Sequence, residues 1–169
     1  DELAATLTPE QHHSLSSLLR NGSRPMVDLC RLASDYYYVD GSGGSSSIKK
    51  LLAPTMNASM RLKELYGAPN YSSSNFKDFQ WYQQDEMGYA IDPYKILANI
   101  KADYCEQDEL MMEAMSSVTH GGGAATAFHL LQSHDVSDNT QKEVAKSLLR
   151  YCELDTLSMA MIVQAWQGF

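Results

Sequence analysis

The most regular stretch of the chain is its last third. From Asp138 to Trp166 no glycine or proline interrupts it, and apolar residues recur three and four positions apart, the spacing that keeps them on one helical face. At about 100° per residue, with Leu148 as origin, Cys152, Asp155, Met159, Ile162 and Trp166 all fall within about 40° of one line. Ser137 or Asp138 is the predicted N-cap, and the helix is expected to run through Tyr151 and on to Trp166. Asp155 would then sit inside an apolar stripe.

Upstream, the pattern predicts shorter helices. Thr8 followed by Pro9 marks a cap and a first helical position, with the helix reaching about Leu19 and stopping at Asn21-Gly22. Met26-Val27 reads as an extended lead-in to a second helix through Leu29, Cys30, Leu32 and Ala33, ending near Tyr36-Tyr37-Tyr38. Gly41 to Ser47 is glycine and serine throughout, so a flexible loop is expected near 39–47, whose last serines can cap a helix containing Ile48, Leu51 and Leu52. A further helix is predicted from Asn57 to Tyr66, closed by Gly67.

Residues 67–91 show no sustained period. This irregular loop carries Tyr71, Phe76, Phe79, Trp81, Tyr82 and Tyr89, rings that either pack onto the body or stack on bases; packing is the expectation. Asp92-Pro93 opens a segment through Ile100, and Glu106 to Ser116 is predicted helical. His120-Gly121-Gly122-Gly123 is expected to break the chain before a helix from Ala124 to about Ser133. With no internal repeat and no alternating strand of ordinary length, residues 1–169 read as mainly α, a single domain or a domain fragment.

Composition narrows the function classes. At 44% hydrophobic and 20% charged, the chain is globular rather than disordered. Thirteen Lys plus Arg against 21 Asp plus Glu give a net charge of −8, which argues against coating nucleic acid by charge alone but leaves a local grip on a strand open. The longest uncharged, apolar-rich stretch, Thr156 to Phe169, falls short of the roughly 20 residues of a membrane span, and Asp1-Glu2 is no signal peptide. No membrane partner and a cytoplasmic location are therefore expected. Cys30, Cys105 and Cys152 form no CxxC pair, so neither a zinc ribbon nor a disulfide framework is offered. Asn-x-Ser at Asn21, Asn57 and Asn70 carries no weight in such a compartment.

Candidate chemistry centres on Asp155. A carboxylate within an apolar stripe needs a partner, and Tyr151 projects from the same face one turn earlier. Tyr-x-x-x-Asp also occurs at Tyr36/Asp40 and Tyr104/Asp108, so the spacing by itself discriminates little. Two readings stand: a structural Asp155 bonded to an arginine or a backbone amide, or Asp155 and Tyr151 framing a metal-bound water. Lys49 and Lys50, behind the serine loop, either hold a strand's backbone or are solvated lysines of an amphipathic helix. His120 and Gly122 either approach a phosphate or simply begin a helix. Asp28 reads as a helix cap, and His12 and His13, pointing about 100° apart, as surface residues.

The run Ser147-Leu-Leu-Arg-Tyr-Cys-Glu-Leu-Asp-Thr-Leu-Ser-Met resembles the third motif of the tyrosine class of DEDD exonucleases, RNase H-like enzymes that remove nucleotides from 3′ ends with two divalent metals. More specifically, the chain resembles the C-terminal part of a family of uncharacterised bacterial proteins predicted to carry such a nuclease domain. Arg24-Pro-Met-Val-Asp-Leu, Gly44-Ser-Ser-Ser-Ile-Lys-Lys-Leu-Leu and Gly122-Gly-Ala-Ala-Thr-Ala-Phe add to that likeness, which covers roughly residues 24–165.

The resemblance implies the helical C-terminal portion of an RNase H-like α/β exonuclease fold that hydrolyses phosphodiester bonds. It implies Mg²⁺ or Mn²⁺ as cofactor, Asp155 as metal ligand and Tyr151 orienting the attacking water. The partner it implies is the 3′ end of a single strand, touched by Lys49, Lys50, His120 and Gly122. Against the wider class, no Asp-x-Glu first motif and no Asn and Asp second motif precede Asp28. The expectation is a chain that works with a missing N-terminal part of the same protein and shows little nuclease activity by itself. The alternative is a non-catalytic helical interaction module.

Overall fold

A computed structural model describes residues 7–19, 21–100, 121–132 and 137–168. Seven helices occur among them: α1 (Pro9–Ser17), α2 (Leu29–Tyr36), α3 (Ile48–Ala58), α4 (Met60–Tyr66), α5 (Pro93–Ala98), α6 (Gly121–Leu131) and α7 (Asp138–Trp166). The described part is mainly α, as expected. Its only strand-like pairings are two isolated antiparallel bridges, Tyr71 with Phe79 and Gln84 with Ala90. None of the described helices is long and apolar enough to cross a membrane.

The helix starts follow their capping chemistry. Thr8 and Gln11 form a reciprocal capping box at α1, Asp28 accepts from the Arg31 amide at α2, and Ser137 accepts from the Thr140 amide at α7. Each satisfies an amide that the first helical turn leaves without a partner. α1 ends at Ser17, two residues short of the expected Leu19.

The predicted boundary between the third and fourth helices shifts. α3 continues through Pro54 to Ala58, although proline there forfeits a bond to the Lys50 carbonyl. Leu51, Leu52, Thr55 and Met56 are buried along the same helix, and their packing carries it past the proline. Ser59 makes the break instead: its amide donates to Thr55 and its hydroxyl accepts from Leu62. Gly67 closes α4, where a Cβ would stand 2.2 Å from the Lys63 carbonyl oxygen.

The glycine run is a second correction. Gly121 to Gly123 are not a break; they form the first turn of α6. α6 packs on α7, and Gly123 and Ala127 are buried, so small residues there allow close helix approach that offsets glycine's weak helix propensity. The predicted helix Glu106 to Ser116 lies outside the described residues.

α7 is the axis of the molecule, packed by α3, α4, α5 and α6. Its buried residues are Thr140, Val144, Tyr151, Leu154, Ser158, Met161, Ile162 and Ala165. On the wheel that set centres about 80° from Leu148, so the face predicted to be innermost is in fact the rim. Cys152 and Met159 are exposed there and Asp155 is half-buried. Thr140, Ser158 and Ala165 lie on the buried face: small side chains let neighbouring elements pack closely, a role that hydropathy does not register.

The aromatic loop packs on this body. Trp81 is 0% exposed, with ring centroids 4.5 Å from Phe79 and 4.9 Å from Phe76. The Tyr82 amide donates to the Tyr66 carbonyl and the Ala90 amide to Asn57 Oδ1. Tyr89 is the exposed ring of the group. In the loop near 39–47, Gly41, Gly43 and Gly44 take positive φ, while Val39 and Ser42 are buried.

Candidate functional site

Where α3 and α5 meet the middle of α7, Lys49, Tyr94, Tyr151 and Asp155 form one connected cluster. Asp92 caps α5 by accepting from the Tyr94 amide at 3.0 Å, with Pro93 at the first helical position. That cap turns Tyr94 inward, where it is 4% exposed. Its hydroxyl donates to Asp155 Oδ1 at 2.6 Å and lies 3.5 Å from Ser158 Oγ. Burial, and then the bond to the carboxylate, hold the Tyr94 phenol above the usual tyrosine range. Tyr94 thus keeps its proton and commits it to Asp155.

Lys49, in the first turn of α3, reaches the same place. Its ammonium donates to Tyr151 Oη at 2.9 Å and lies 4.9 Å from the ring centroids of both Tyr94 and Tyr151. The two rings meet edge to face at 6.3 Å. A cation between two aromatic faces is held by their quadrupoles. Because Tyr151 accepts from Lys49, its own hydroxyl proton is not used in that bond.

The cluster borders a cavity of about 390 Å³ lined by Ser47, Lys49, Lys50, Asp92, Tyr94, Lys95 and Ala98. Lys50 and Lys95 are exposed. In a chain of net charge −8, three lysines around one cavity make a local positive site.

Three predicted site residues, Lys49, Tyr151 and Asp155, are thus linked through Lys49 and Tyr94, and Lys50 lines the adjoining cavity. Gly122 lies in the first turn of α6. His120 lies outside the described residues. Tyr94 and Lys95 went unnoticed in the sequence, although the Asp92-Pro93 cap that presents them was legible. Among the described residues, the partner of Asp155 is a tyrosine distant in sequence rather than an arginine or a backbone amide.

The donors described around Asp155 are by themselves too few for the pair of divalent ions that the resemblance implies. Among the described residues, no three of His, Cys, Asp and Glu come together as a group able to hold a metal. Asp155 offers one carboxylate, with one oxygen already taken by Tyr94, whereas Mg²⁺ demands an octahedral set of oxygens.

Two residues away, Glu153 makes a different cluster. It accepts from Tyr71 Oη and Asn75 Nδ2, each at 2.6 Å, while Arg150 Nε donates to the Asn75 carbonyl at 3.3 Å. Burial pushes the Glu153 carboxyl upward, but hydrogen bonds from Ser73, Tyr71 and Asn75 outweigh it and hold it below its ordinary range. This cluster fastens the aromatic loop to α7. Compared with family models, curated proteins and solved structures, the chain matches none.

Proposed function

We propose that the chain is the helical C-terminal part of a 3′ to 5′ exonuclease of RNase H-like fold, hydrolysing phosphodiester bonds at the end of a single strand. One observation carries this reading: Tyr94, bonded to Asp155, and Lys49, bonded to Tyr151, stand together on the wall of a cavity lined by two further lysines. Phosphoryl chemistry needs cations facing the non-bridging oxygens and a donor near the oxygen that gains charge. The lysines supply the first. The Tyr151 hydroxyl, braced by Lys49, would orient water or the leaving 3′ oxygen. Mg²⁺ or Mn²⁺ belongs to this proposal only together with carboxylates beyond Asp155, and when bound would supply a polarised water.

The test is trimming of a 5′-labelled single strand by the complete protein in Mn²⁺. The expected loss is about a hundredfold or more in both Asp155→Asn and Tyr151→Phe. Trimming at the wild-type rate in both variants would refute the assignment. The chain by itself is expected to bind the strand with little trimming.

A second reading, a helical interaction module, is favoured by exposed apolar side chains around α2. Leu19, Met26, Val27 and Tyr36 are all more than half exposed and line one groove, a patch of the kind that marks a protein contact. Under that reading no form of the protein trims, and Val27→Asp rather than Asp155→Asn abolishes its activity in cells.

A further inference from the structure

A second cavity, of about 280 Å³, lies beside the N-terminal half of α2, between that helix, α3 and α7. Leu29 and Ala33 of α2, Ile48 and Leu51 of α3, and Met159 and Ile162 of α7 form its walls. Each pair is three or four residues apart, the spacing that puts both side chains on one side of a helix. Among the described residues, none of those lining the cavity is charged. Its polar groups are neutral: the Cys30 thiol and the Ser46 hydroxyl, 3.6 Å apart, and the hydroxyl of Ser47, the N-cap of α3, which makes no side-chain capping bond. Past the cavity α2 is fastened at its other end. There the Tyr37 hydroxyl stands 3.2 Å from Thr55 Oγ1 and the Tyr37 ring meets Trp166 edge to face at 5.2 Å. That contact holds the helix in place over a space that the small Ala33 side chain does not fill.

We infer that this cavity is a binding site for a small, uncharged, apolar molecule about the size of two fused rings. An apolar cavity of about 150 Å³ takes a benzene ring, so the larger space here admits a second. Water is a poor occupant, because a buried water needs several polar partners, and an empty cavity forfeits dispersion contacts along every wall. A ligand restores those contacts and removes its own apolar surface from water. The same walls reject a nucleobase of equal size, whose ring nitrogens would be buried without partners. A single donor at one end of the ligand is accommodated, since the hydroxyls of Ser46 and Ser47 can accept from it. Such a molecule binds whether or not the complete protein trims nucleic acid.

Titrating indole and, separately, adenine into the methyl-labelled chain, while following the methyl resonances of Ala33, Ile48, Leu51 and Met159, tests the inference. Indole is expected to move these resonances saturably. Adenine, a fused ring system of similar size with polar edges, is expected to leave them in place. Ala33→Leu puts a branched side chain into the space and should weaken indole binding about tenfold or more while melting near the wild-type temperature. Met159→Glu, at a position 42% exposed, sets a charge on the wall and should weaken binding to a similar degree; it carries the test if Ala33→Leu does not fold. No shift of these methyls with indole, an equal response to adenine, or undiminished indole affinity in a folded variant overturns the inference.

Discussion

Two tyrosine–carboxylate bonds of the same length, 2.6 Å, flank α7: Tyr94 to Asp155 and Tyr71 to Glu153. Two residues apart, their carboxylates lie about 160° apart around the helix. Burial and the adjoining carboxylate raise both phenols above the usual tyrosine range. Their surroundings differ. Glu153 is bonded by loop residues on both of its oxygens, and the arginine one turn earlier covers the Phe76 ring at 5.9 Å. Asp155 is joined through Tyr94 to a lysine, a second tyrosine hydroxyl and an open basic cavity. The same chemical pair thus serves as a clasp where the polar groups are used up internally, and as a candidate site where charge and donors are left facing a cavity.

The largest expected effect breaks the clasp side from within. Trp81, 0% exposed among Tyr71, Phe76 and Phe79, loses most of its contacts in Trp81→Ala, which should cost about 3–5 kcal/mol in denaturant unfolding. A cost below about 1 kcal/mol would mean that the loop contributes little to stability and that its docking is incidental.

Glu153→Gln comes next, with an expected cost of about 1–3 kcal/mol for the charge-assisted bonds it weakens. The pH dependence has a definite sign. Because the folded carboxyl titrates below its ordinary value near 4.5, its stabilisation is complete above that value and is lost as pH falls through the lower, folded one. Acid unfolding curves should converge for wild type and Glu153→Gln in that window. A gap that persists undiminished at the acid end would show that the charge is not what holds the loop.

Much of the framework was legible in the sequence because caps and periodicity are local. Thr8, Asp28, Asp92 and Ser137 announce helix starts within a few residues of where they act. The burial direction of α7 was not, since it depends on which partners approach, and small Thr140, Ser158 and Ala165 attract no notice on a hydropathy wheel. The candidate site was half legible for the same reason. Tyr151 and Asp155 share a helix and could be paired by spacing. Their partners Lys49 and Tyr94 stand 102 and 61 residues away along the chain, so only tertiary structure joins them. The third glycine of the Gly121-Gly122-Gly123 run was misread because glycine usually stops helices, whereas here it admits a neighbour.

The smallest stability effect is the sharpest test of the contrast between the two sides of α7. Removing one phenolic oxygen from each cluster is the same edit in both places. Tyr71→Phe strips a bond from a carboxylate that loop residues enclose and should cost about 1–2 kcal/mol. Tyr151→Phe removes only the acceptor of Lys49, whose ammonium stays between two aromatic faces; the expected cost is about 0.5 kcal/mol or less. Stability and function should then separate. Tyr71→Phe lowers the melting temperature with strand binding unchanged at a temperature where it is folded, while Tyr151→Phe leaves the melt nearly in place and weakens binding of a 3′ end. A group that contributes little to the fold yet much to binding is what a functional site retains. If Tyr151→Phe instead lowers the melting temperature as much as Tyr71→Phe and leaves strand binding untouched, the two clusters are the same kind of clasp and the candidate site is structural.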